Sequence, residues 1–377
     1  GGSDMKVKNI NINILKELSN KMPKMAEKAR QEFSKYDIWV SGDDYPTYKQ
    51  LVKLSKIFHV PFGYFFLEKL PERKYPIPHY RTEKNDLFFP SNELLDTVMF
   101  AQKIQEWAKY ILLEWGQEKI QFCGKYKDDY NKEKIIEELK TIFDIKNNWA
   151  SEMNKWREAF NYLKEKAEEK GIIVLINGVV ENNTHRKLNV EEFRGFVLYD
   201  DVAPVIFINN NDAISAKIFT LIHEVVHILI GESASFDLHH LQSAENKIEK
   251  FCDVCTAEFL VPLSELIKQY QNTNNLEELA RYFKVSQIVI LRRLLDTQLM
   301  TQNEFYEQLN NLYNKEIKNE QKSGGGNFYA ITSHRLSKRF LNILINGFHN
   351  NIIIYRDMLR ITGLKAKAFN KLIERIK

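Results

Sequence analysis

Residues 212–230 are apolar almost all round and are followed by Gly231. A helix that is hydrophobic on every side must be buried, so this segment predicts a central core helix with the glycine as its C-terminal stop. Three polar side chains stand in its middle: His223, Glu224 and His227. Core helices seldom carry such groups unless something pairs them, because unpaired polar groups lose their hydration on burial. Any fold for this chain must therefore bring partners to these three residues.

Residues four apart lie one above the other on a helix, so His223 and His227 can point two imidazoles at one metal ion. Glu224 follows the first histidine, where it reaches a water on the metal and serves as general base. A catalytic zinc needs a third protein ligand and keeps one open position. Glu249 is the expected third ligand, on a helix at 245–260. Asp253 stands four residues further on the same face, placed to accept the outer N–H of a ligating histidine. Glu245 and Glu258 are rivals for the third place, but neither has a carboxylate four residues on. His239 and His240 fall in a polar loop and read as solvated side chains, with oxyanion stabilisation as the alternative. Cys252 and Cys255 lie within the Glu249 helix and read as small core residues facing the histidine helix, since no thioredoxin-like context or second cysteine pair accompanies them.

The rest of the chain organises around this centre. Residues 5–70 read as short helices closing a small core at Pro61-Phe62-Gly63-Tyr64-Phe65-Phe66. Residues 71–90 are proline-rich and polar, a linker. Residues 91–322 form the main domain. It has helices at 91–116, 131–143 and 149–170, then strands at 172–176, 193–199 and 205–208. After the central helix come helices at 245–260, 264–270, 275–283, 287–296 and 302–318. Residues 323–330 begin Ser323-Gly324-Gly325-Gly326 and read as a second linker. Residues 331–377 form a basic helical C-terminal domain, with helices at 332–348 and 351–376.

Charge is segregated. Residues 1–90 hold 16 Lys and Arg against 11 Asp and Glu, and residues 331–377 hold 10 against 2. The whole chain carries +4, which leaves −9 for the middle. Basic ends flanking an acidic centre fit an acidic partner, DNA or a protein surface, with solvated lysine-rich helices as the bland alternative. Cys123, Cys252 and Cys255 make no disulfide framework, and no apolar run spans a bilayer, so a cytoplasmic protein without a membrane partner is expected.

Leu221-Ile222-His223-Glu224-Val225-Val226-His227-Ile228-Leu229, with Ile248-Glu249-Lys250-Phe251-Cys252-Asp253 and Ala257-Glu258-Phe259-Leu260-Val261-Pro262, resembles the ImmA/IrrE family of metallopeptidases. So does the stretch from Leu276 to Leu295. Tyr45-Pro46-Thr47-Tyr48-Lys49-Gln50-Leu51 and the aromatic stretch after it look like the Xre-type helix-turn-helix that often precedes this peptidase. The resemblance implies Zn2+ held by His223, His227 and Glu249, with Glu224 as base. It implies a zincin-like domain within an α+β, mostly helical chain, a small three-stranded sheet covering the central helix. It also implies a protein substrate, a helix-turn-helix repressor or antitoxin, whose cleavage relieves repression in stress, mobile-element or toxin–antitoxin circuits. One departure is plain: the segment around Ser34 to Val40, where base-reading side chains would stand, is short and offers only Lys35. That leaves binding of a helix-turn-helix partner by shape as the expectation for the N-terminal domain, with DNA contact there as the alternative; for the basic C-terminal tail, Ile352-Ile353-Ile354 and Ile373 favour a packed helical unit in protein contact, with DNA as the alternative. The rival expectation is a non-catalytic regulator or antitoxin that works by binding DNA or a protein.

Overall fold

The computed structural model describes residues 6–58, 60, 62–70, 91–190, 192–231, 244–316 and 328–376. The chain divides into two compact units, the N-terminal helices and the body from Glu93 onward. The linker expected at 71–90 lies outside the described residues, as does the glycine run of the second linker.

The N-terminal unit contains α1 (Ile12–Lys21), α2 (Pro23–Glu32), α3 (Tyr36–Ser41) and α4 (Tyr48–Phe58), closed by a 3-10 turn at Phe62–Phe66. Asn11 caps α1 by accepting from the Asn13 amide. Pro23 opens α2, where its missing N–H costs nothing. α3 is only six residues long, and its Tyr36 and Trp39 are buried in the local core with Leu51, Leu54 and Phe58. That core uses side chains that a reading helix would need to turn outward.

The main body begins with α5 (Asn92–Glu114), α6 (Lys132–Phe143) and α7 (Trp156–Glu169). The helix expected over 149–170 is shorter than that. A 3-10 turn at Trp149–Glu152 buries Trp149, and extended backbone at Met153 and Lys155 resets the chain before α7. Strands β1 (Ile173–Asn177), β2 (Val179–Val180), β3 (Asn183–Lys187), β4 (Gly195–Leu198) and β5 (Val205–Asn209) follow. β2 and β3 form a small hairpin that the sequence pattern does not reveal, because β3 is polar throughout. The main sheet has order β1-β5-β4, with β1 parallel and β4 antiparallel to β5.

Beyond the sheet run α8 (Ile214–Ile230), α9 (Ala244–Leu260), α10 (Leu263–Asn272), α11 (Leu276–Phe283), α12 (Gln287–Asp296) and α13 (Gln302–Glu316). The last four are α14 (Phe328–Leu336), α15 (Lys338–His349), α16 (Tyr355–Thr362) and α17 (Ala366–Ile376). The architecture is α+β and mostly helical, with a small three-stranded sheet and a two-stranded hairpin among the described residues.

All five residues of β1 and of β5 are buried, which requires cover on both faces of the sheet. Val174, Ile176, Val197, Ile206 and Ile208 pack in one cluster with α8, α7 and α9. Ile173, Leu175, Phe196, Leu198, Val205 and Phe207 pack in a second cluster with α5 and with Leu336, Phe340, Leu341, Leu344, Phe369 and Leu372. The C-terminal helices are thus a layer of the main body and share its core, where the sequence suggests a domain apart. Two expected C-terminal helices are four. The first breaks at Ser337, whose φ of 67° is left-handed. That conformation costs a non-glycine residue roughly 1–2 kcal/mol. It is offset because the buried Ser337 hydroxyl donates to Glu168 Oε1 at 2.6 Å and accepts from the Phe340 amide. The second breaks at Gly363, also left-handed at φ 67°. Among the described residues no helix is long and apolar enough to cross a membrane.

Shared packing predicts shared unfolding. Phe340→Ala, made in a fully buried position, should cost about 3–5 kcal/mol and lower the main thermal transition of the whole body. A main transition that stays in place would mean that these helices unfold separately from the sheet.

Candidate active site

α8 is built as its sequence demands. Every side chain from Leu221 to Ile230 is buried, and Gly231 ends the helix in the left-handed region at φ 75°, its N–H on the carbonyls of His227 and Ile228. The carbonyls of Ile228 and Leu229 also accept from the amides of Gly124 and Tyr126 at 2.9 Å. The loop before α6 thereby satisfies acceptors that a helix C-terminus leaves open. Gly124 and Gly231 pass so closely that a Cβ on Gly231 would stand 2.6 Å from the Gly124 Cα.

α9 packs against α8 with Cys252 and Cys255 fully buried. Its inward face carries Glu249 and Asp253. Glu249 Oε2 lies 3.2 Å from His223 Nε2, and Glu249 Oε1 lies 2.9 Å from His227 Nε2. The two Nε2 atoms are 3.1 Å apart. Asp253 Oδ1 stands 3.0 Å from His223 Nδ1, the far side of the same ring. Burial works against charging His223, but the hydrogen bonds to Asp253 and Glu249, with the charges of Glu249 and Glu224, outweigh it and push its pKa up to about 10.

The donor set fits a metal ion. Ligand atoms placed tetrahedrally at about 2.0–2.1 Å from zinc stand roughly 3.3 Å from one another, close to the 2.9–3.2 Å found here. Two imidazole nitrogens facing each other at 3.1 Å share at most one proton. A cation between them and the carboxylate satisfies all three at once. His223, His227 and Glu249 are the group that could hold one among the described residues.

The expected residues meet here, and of the rivals the described one, Glu258, does not. Glu258 is taken by Arg293, which also donates from Nε to the Val261 carbonyl at 3.0 Å and so ties α12 to the end of α9. The Glu245 side chain, His239 and His240 lie outside the described residues. Cys252 and Cys255 sit in the core, and burial pushes the Cys255 thiol up to about 12, which removes its thiolate at neutral pH. Cys252 has one contact the sequence does not suggest: its Sγ lies 3.8 Å from His227 Nδ1, buttressing that ring.

Gly195 is the residue that sequence reasoning missed. A Cβ there would stand 2.5 Å from Thr220 Cγ2 and 2.7 Å from the Phe207 carbonyl oxygen, with Glu224 Oε1 at 3.8 Å. Only a glycine lets β4 run this close to α8 beside Glu224. The Asn209 amide bonds the Arg194 carbonyl at 2.9 Å. Alternation then turns Phe196 and Leu198 toward β5 and leaves the backbone groups of Gly195 and Val197 at the outer edge. The only sequence signal was a glycine inside the strand expected at 193–199.

The peptidase M78 family model, described as the IrrE N-terminal-like domain, matches residues 167–295. The match runs from the end of α7 through α12 and includes every residue of the His-Glu-His cluster and its α9 partners. It supports the ImmA/IrrE resemblance over that third of the chain and points to a metal-dependent peptidase; the N-terminal helices lie outside it. No curated protein and no solved structure matches the chain.

Two outcomes follow from the geometry. The purified chain should bind one divalent metal, and His227→Ala should remove it; metal content unchanged by that substitution would contradict the site. Gly195→Ala should destabilise by about 1–3 kcal/mol, as overpacking against backbone does, seen as a lower Tm.

Proposed function

We propose that this chain is a zinc-dependent endopeptidase that cuts a regulatory protein, a helix-turn-helix repressor or antitoxin, and so relieves repression. The supporting observation is the convergence of His223, His227 and Glu249 within 2.9–3.2 Å, with Glu224 beside them at the edge strand. Two imidazoles and one carboxylate are a common catalytic zinc set. When bound, the metal supplies Lewis acidity to the scissile carbonyl and makes water a nucleophile near neutral pH.

The chain's own residues do the rest. His223, His227 and Glu249 would hold the ion. Asp253 fixes the His223 ring and its tautomer through Nδ1, which turns Nε2 to the metal. Glu224 takes a proton from the attacking water at its carboxylate and returns it to the leaving amine nitrogen. A substrate segment pairs in extended form with the outer edge of β4, using the backbone groups of Gly195 and Val197. The apolar wall of α8 keeps bulk water out. A repressor or antitoxin as substrate, and the stress, mobile-element or toxin–antitoxin circuit around it, rest on the family resemblance.

Glu224→Gln keeps the side chain's size and removes its basicity. Incubated with the products of neighbouring genes, the wild-type chain should cut one of them in a chelator-sensitive way. The variant should retain metal, bind the intact partner and cut it about 10²–10⁴ times more slowly. Full regulatory effect with the glutamine variant would instead favour a protein that acts by binding.

A further inference from the structure

The C-terminal layer has an outward face that neither the sheet nor the metal cluster uses. α16 spans eight residues, and Gly363 ends it with its N–H on the Leu359 carbonyl at 2.9 Å. Three residues, Gly363-Leu364-Lys365, connect it to α17, and Gly363 takes the left-handed conformation that so short a turn needs. Met358, Ile361 and Thr362 of α16 are buried with Leu364, Phe369 and Leu372 of the turn and α17. This is a helix, a three-residue turn with glycine, and a second helix, all anchored to the second core cluster.

The opposite face of that second helix is basic. Lys365, Lys367, Asn370 and Lys371 are exposed. None of the three lysines pairs with a carboxylate among the described residues. The Asn370 side chain is steadied by the Tyr355 hydroxyl, which donates to its Oδ1 at 2.8 Å. On α16, Arg356 is exposed as well, and Arg360 lies over Trp107 beside Asp357. Residues 352–377 carry seven Lys and Arg against two Asp and Glu. Elsewhere on solvated helix faces Arg281 pairs with Glu277 and Arg292 with Asp296. The α17 lysines do not.

We propose that α16, its turn and α17 dock on duplex DNA, with α17 in the major groove and Arg356 on the flanking backbone. The arrangement is that of a helix-turn-helix, in which the second helix enters the groove by its N-terminal residues while the first crosses the phosphates. Lys365, Lys367 and Lys371 neutralise phosphates, and the Asn370 amide faces base edges. The partner is chosen by charge: a regular polyanion matches a row of unpaired cations on a helix whose far side is fixed in a core. α3 of the N-terminal unit offers no such face, since its Tyr36 and Trp39 point inward. The proposal is independent of the peptidase reading.

The test uses the full chain and a labelled random-sequence duplex of about 30 base pairs, with affinity measured by fluorescence anisotropy from about 50 to 200 mM salt. Wild-type protein should bind with a log–log salt slope of about −3 or steeper. The variant K365A/K367A/K371A should lose roughly 2.7 from that slope, about 0.9 for each phosphate contact, and bind at least about tenfold more weakly at the low-salt end. An equally exposed triple change in the N-terminal unit, K49A/K53A/K56A, should leave the slope unaltered. E224Q should bind DNA as wild type does, which separates this proposal from the fate of the peptidase reading. A matching thermal melt of the K365A/K367A/K371A variant shows that its fold is kept. Absence of duplex binding at low salt, an unchanged slope in that variant, loss of binding only in the N-terminal variant, or binding to polyglutamate in preference to the duplex would each overturn it.

Discussion

Two imidazoles and two carboxylates meet where α8 and α9 cross, among side chains that are mostly apolar. That meeting constrains most of the fold. His227 is 1% exposed and His223 7%, so neither ring can leave its partners for water without tearing open the core. α9 must lie against α8 in one register, because Glu249 reaches both rings and Asp253 reaches only the back of one. Slipping α9 by a residue would turn Glu249 away and leave buried polar groups unpaired, at a cost that apolar contacts could not recover.

The surrounding layers hold that crossing in place. The sheet backs α8 on one side, and β4 approaches so closely that Gly195 is needed beside Glu224. The loop before α6 closes the C-terminal carbonyls of α8, and Arg293 ties α12 to the end of α9. On the other face of the sheet, α5 and the C-terminal helices bury Ile173, Leu175, Val205 and Phe207. A domain that looks separable on the strength of a glycine-rich segment is therefore part of the support for the site.

Much of this was legible in the sequence, and the reasons are local. The all-round apolar run around His223 and the glycine after it specify α8 by periodicity alone. The four-residue spacing of Glu249 and Asp253 puts both carboxylates on one face of α9, where the structure brings them to the rings. What escaped depends on contacts between distant segments. Gly195 is one glycine among 15 until β4 is seen against Thr220. Cys252 reads as filler until its sulfur is seen behind His227. Ser337 breaks a helix that its neighbours would continue, because a buried hydrogen bond to Glu168, 169 residues earlier, repays the strain. The five consecutive buried residues of β1 implied cover on both faces, but nothing in their pattern named the C-terminal helices as the second cover. The β2–β3 hairpin carries no period-two alternation to find.

On the proposed reading, two imidazole nitrogens and the Glu249 carboxylate, without sulfur, bind the metal at the α8–α9 crossing. X-ray absorption at the zinc edge of the zinc-loaded chain reads that ligand set directly. The expected spectrum has nitrogen and oxygen ligands at about 2.0–2.1 Å, with outer-ring scattering from two imidazoles and loss of one oxygen ligand in Glu249→Ala. A zinc–sulfur distance of about 2.3 Å, which would recruit Cys252 from behind His227, or a first shell untouched by Glu249→Ala, would contradict it.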